Sequence, residues 1–124
     1  MTRFRPELLQ WYGLFGGALV WACQLVVGFG VTLADCSAAG NRWGIDVVTW
    51  EIVLMVVGAT LTVIAEAAAV SVFVATSEAE YDGPPPHGRR HFFAEAAMLG
   101  NVLFLMAILL SGIAAIVHAP CHQA

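Results

Sequence analysis

Residues 47–74 form a run of 28 positions without one basic side chain, yet a carboxylate, Glu66, stands well inside it. A helix rises about 1.5 Å per residue, so such a run exceeds the roughly 20 residues that cross a hydrocarbon core. A carboxylate at that depth demands a partner. Glu51, Gly58, Thr62, Ala65, Glu66 and Ala69 recur at helical spacing and share one face, which should meet protein. Val56, Val63 and Val70 follow a heptad on another face, which suits lipid.

The rest of the chain conforms to the same class. With 60% hydrophobic and 11% charged residues among 124, the apolar side chains exceed what one small soluble core can hold. The expected fold is an all-α integral membrane protein, a single three-helix domain over residues 1–124. Spans are expected at about 11–34, 47–74 and 92–118, with a short polar lead before the first. Asp46 is placed to cap the second span, and residues 84–86, three prolines, favour an extended stretch in the loop 75–91. Trp11, Tyr12, Trp43 and Trp50 fall where amphipathic rings favour the headgroup boundary. The basic start before an apolar run imitates a signal peptide, but the run is too long and lacks a small-x-small site. Trp21 also spoils a lipoprotein box before Cys23, so retention of the N-terminal segment is expected.

The five basic residues are all arginines, too scattered for a nucleic-acid partner. Their distribution sets a topology: Arg3, Arg5, Arg89 and Arg90 fall on one side and Arg42 on the other. This places the N-terminus and the loop 75–91 in the cytoplasm and the C-terminus in the periplasm of a bacterial inner membrane. Cys36 and Cys121 then share the oxidising side, where they can form a disulfide if their Cα atoms come within about 7 Å. The alternative is a copper or zinc site from His118, Cys121 and His122 with Cys36, and both remain open on sequence grounds. Cys23, at mid-span, reads as a small packing residue.

Gln24, Thr62, Glu66 and Asn101 lie near the middle of their spans and are expected to form a buried hydrogen-bonding layer. The favoured reading of Glu66 is structural, a protonated carboxyl bonded to Asn or Gln or to a group of another chain. Gly13 and Gly17 make a GxxxG step for close helix packing. No histidine falls at mid-span, so no haem is expected on this chain alone. Nor is there a nucleophile–base set, a phosphate loop or a carboxylate pair, so no catalysis is expected.

Two stretches carry a resemblance. Trp11-Tyr-Gly-Leu-Phe-Gly-Gly-Ala-Leu-Val-Trp21-Ala-Cys-Gln24-Leu, continued to Cys36, resembles the start of small three-span proteins encoded beside bacterial cytochrome c oxidase genes. Arg89-Arg-His-Phe-Phe, with Gly100, Leu103-Phe104 and Ile108-Leu-Leu-Ser-Gly112 and closing on Pro120-Cys121, is similar to that family's last span. The likeness covers both outer helices, and Glu66 and the triple proline have no counterpart in it. It implies a non-catalytic accessory subunit of a respiratory, electron-transport complex, with haem and copper in larger partner subunits and phospholipids around it. The alternatives are an oxidase assembly or metal-handling factor, and a small oligomeric transporter using Glu66.

Overall fold

The structure, a computed structural model, describes residues 6–36, 46–78 and 87–118. They form three α-helices: α1 (Pro6–Asp35), α2 (Val47–Ala75) and α3 (His87–Val117). All three are long and apolar enough to cross a membrane, with mean hydropathies of 1.9, 2.2 and 2.3 over the most apolar 18 residues of each. This is consistent with a multi-pass membrane protein. Each helix packs against both of the others.

The contacts set the direction of each helix. Gly13 of α1 faces Ala69 of α2 while Gly28 faces Glu51, so α1 and α2 run antiparallel. Asn101 of α3 bonds the Gly13 carbonyl and Gln24 bonds that of Ile108, so α1 and α3 run parallel. The core is narrow because its residues are small: Ala65, Ala69, Ala94 and Ala97 are buried on α2 and α3, and Ile108 is the largest fully enclosed side chain. Outside lies an almost continuous apolar surface, including Leu19, Val26, Leu99, Leu103 and Leu110. Val56, Val63 and Val70 are exposed on it, while Glu51, Gly58, Thr62, Ala65 and Ala69 turn inward.

Two helix starts differ from the sequence expectation. α1 begins at Pro6 rather than near residue 11, and α3 begins at His87 rather than near residue 92. Apolar periodicity marks only the part of a helix suited to hydrocarbon, whereas backbone hydrogen bonding continues into the polar margins. Proline also suits the first helical position, where its missing N–H has no partner to lose, and Glu7 in the first turn complements the helix dipole. His91, expected in the loop, is instead a buried α3 residue. Arg42, Trp43 and residues 84–86 lie outside the described residues.

Asp46 caps α2. One carboxylate oxygen accepts from the Thr49 hydroxyl at 2.7 Å and the other from the Thr49 N–H at 3.4 Å. The Thr49 hydroxyl, then its backbone N–H, holds the Asp46 carboxyl below its ordinary value of 3.8. Because the folded value is the lower, the cap is in place above pH 3.8 and is lost as pH falls through the depressed value. Hydrogen exchange at the Thr49 amide should therefore quicken in Asp46→Ala at neutral pH, and the difference from wild type should vanish in acid.

Gly13 tests the packing. A Cβ there would stand 3.1 Å from the Ala69 nitrogen and 3.2 Å from its Cα, backbone atoms that yield only if the helices separate. Gly13→Ala is expected to cost about 1–3 kcal/mol in reversible unfolding in mixed micelles. Gly30→Ala, at a position with nothing within 4 Å of the added carbon, should be neutral or stabilising by up to about 1 kcal/mol.

Candidate functional site

Polar side chains inside this bundle are few, and they stand as a ladder along its axis. Asn101 is 2% exposed and donates from Nδ2 to the Gly13 carbonyl at 2.8 Å. Thr62 donates to the Gly58 carbonyl of its own helix at 2.9 Å, and Gln24 donates from Nε2 to the Ile108 carbonyl at 3.3 Å. Each of these three bonds runs to a backbone carbonyl, because a helix carbonyl keeps a second lone pair that a side-chain donor can use. Of the four residues expected to form one layer, Asn101 and Thr62 meet around Gly17. A Cβ on Gly17 would stand 2.6 Å from Asn101 Oδ1 and 3.5 Å from Thr62 Cγ2. Gln24 is nearer the Cys36 end, beside Gly58.

Glu66 is half-buried beside the Asn101 amide. Its Oε2 and the Asn101 Oδ1 are both enclosed and have no donor among the described residues. A neutral carboxyl carries the one hydrogen that such a pair of acceptors lacks.

The two ends of the bundle differ. At the end near residues 76–91, the buried His91 ring stacks on Phe73 with centroids 4.5 Å apart, and its Nδ1 lies 3.0 Å from Thr76 Oγ1. This clamp joins the end of α2 to the start of α3. Sequence reasoning missed it because a histidine next to arginines reads as loop; its i+4 alignment with Glu95 on α3 is a helical spacing that was available.

At the other end the helices part around a cleft of about 650 Å³. Gln24, Glu51, Ser111 and His118 line it together with Phe29 and Leu33. Glu51 is 6% exposed, and Gly28 opposite leaves room for its carboxylate, since a Cβ there would come within 2.9 Å of Oε1. The sequence placed Glu51 on the inward face but gave it no role.

The expected metal set is only partly described. Cys36 is disulfide-bonded, Cys23 carries a free thiol, and His118 is exposed with Nδ1 2.9 Å from the Ala114 carbonyl. Cys121 and His122 lie outside the described residues. Among the described residues, no group of three or more His, Cys, Asp or Glu side chains gathers at metal-binding distances.

Comparison of the chain with protein-family models, with curated proteins and with solved structures finds no match. The site must therefore be read from its own chemistry.

Asn101 joins the ladder to the α1 backbone, and its loss both removes that bond and opens a small void. Asn101→Ala is expected to destabilise by about 1–3 kcal/mol in mixed-micelle unfolding. Gln24→Ala should cost less, because its bond is longer.

Proposed function

We propose that this chain is a non-catalytic accessory subunit of a larger respiratory membrane assembly, associated with cytochrome c oxidase in a bacterial inner membrane. The observation that carries the reading is Glu66. It is half-buried within a membrane-length helix, and its Oε2 has no donor among the described residues. A half-buried carboxyl with an unpaired oxygen inside a membrane-length helix is costly by several kcal/mol unless protein covers it, so a partner helix supplying a polar group accounts for its place. The small-residue core supports the same reading, since it makes a slim unit that larger subunits can accept along one side.

The choice of a respiratory assembly rests on the resemblance of the two outer helices. Haem and copper would belong to the partner subunits, and phospholipids would fill the remaining apolar surface. The arginine distribution supports a cytoplasmic N-terminus and a periplasmic C-terminus. Cys36 and Cys121 would then staple the fold on the oxidising side. The metal-handling alternative loses support, because a sulfur held in a disulfide is not available as a thiolate ligand.

Purification through a tag on this chain in mild detergent, with mass spectrometry of the co-purifying proteins and visible absorption for haem, tests the proposal. Stoichiometric haem-bearing oxidase subunits are the expected result, and a colourless chain recovered alone overturns it. Glu66→Leu should lower partner recovery by about tenfold, equivalent to ~1.4 kcal/mol of association, while Glu66→Gln retains it. The unfolded, unreduced chain should take up maleimide at Cys23 alone, with Cys36 and Cys121 labelled only after reduction.

A further inference from the structure

The cleft between Cys36, Glu51 and His118 has an unusual balance of polar groups. The lining hydroxyls and one Gln24 amide hydrogen are already used: Thr32 Oγ1 donates to the Gly28 carbonyl at 2.9 Å, Ser111 Oγ to that of Ile108 at 3.1 Å, and Gln24 Nε2 to the same oxygen at 3.3 Å. Two acceptors lack a donor among the described residues. Gln24 Oε1 is enclosed and has no donor, on a side chain only 6% exposed. Glu51 is equally enclosed, and no hydrogen bond or ion pair reaches it among the described residues. Buried acceptors without donors are costly, and a buried carboxylate without a counter-charge costs more.

A ligand that relieves this arrangement must donate hydrogen bonds and carry positive charge. Phe29, Leu33 and the alanines of α3 give the walls an apolar character, so it must also bring hydrocarbon. Calcium does not fit, because one carboxylate falls short of the six to eight oxygens that it takes. The volume of about 650 Å³ lies within the range of small-molecule sites, roughly 300–1,000 Å³.

We propose that this cleft binds a primary ammonium group borne on an apolar tail, with the Glu51 carboxylate as counter-ion. Two sources share this chemistry, an aminophospholipid headgroup and a free alkylamine. Glu51 is one turn inside α2, a depth that either amphiphile reaches from the headgroup boundary. Gly28 is part of the site, because only a bare Cα leaves the carboxylate its place. The inference does not depend on the accessory-subunit reading.

The full chain in phosphatidylcholine nanodiscs would be titrated with n-hexylammonium by calorimetry, with empty nanodiscs subtracted. Saturable binding is expected, weaker by at least about tenfold for hexyltrimethylammonium, which has no N–H, and by a similar factor in Glu51→Gln. In parallel, native mass spectrometry from vesicles of equal phosphatidylethanolamine and phosphatidylcholine would read which lipid stays bound. Retention of phosphatidylethanolamine that is lost in Glu51→Gln marks the lipid as the source. Saturable hexylammonium binding without lipid preference marks the free amine. Ala115→Phe, which fills the cleft and keeps Glu51, should abolish both signals, and far-UV circular dichroism would confirm that each variant is helical. Hexylammonium uptake equal to that of empty nanodiscs together with no lipid preference overturns the proposal. So does binding that survives both Glu51→Gln and Ala115→Phe.

Discussion

The bond from Asn101 Nδ2 to the Gly13 carbonyl can form only because α1 presents no side chain at that level. Hydrocarbon offers no water to a polar group, so every backbone amide and every buried side-chain donor must find its partner within the protein. Helices meet the first demand by themselves. The second brings the helices together, and at this level it is met by an amide reaching across to a helix carbonyl. Bare glycines at Gly13 and Gly17 let the backbones come close enough for that reach, and the alanines of α2 and α3 continue the close approach along the axis. There is no hydrophobic drive between helices in lipid, so packing and a small number of such bonds carry the association.

The two carboxylates of α2 fare differently. Glu66 stands where the bundle is tight, and only part of it fits beside Asn101. Glu51 turns inward and lines a cleft. One carboxylate is half-buried beside an amide and the other lines a cleft, although both lie on the same helix.

The bundle is also asymmetric end to end. His91, Phe73 and Thr76 close one end by stacking and hydrogen bonding, using side chains from α2 and α3. At the opposite end the lining hydroxyls and the Gln24 amide turn back onto helix carbonyls, and the space between helices stays open. A closed end resists separation of α2 and α3.

By itself the sequence determined the class and the number of helices, because three long apolar runs have few alternatives to spanning a membrane and the helical period shows which side of α2 turns inward. It also picked out Asn101, Gln24 and Thr62 as interior polar groups, since a polar residue deep in an apolar run has nowhere else to go. Tertiary structure alone decided what those residues bond to. Helical period gives the face of a side chain but not the distance to the neighbouring helix, and that distance separates a mutual network from a ladder of bonds to carbonyls. The same limit hid the cleft at Glu51 and the clamp at His91. Both arise where helices diverge or where a polar margin stays helical, and neither event leaves a mark in hydropathy.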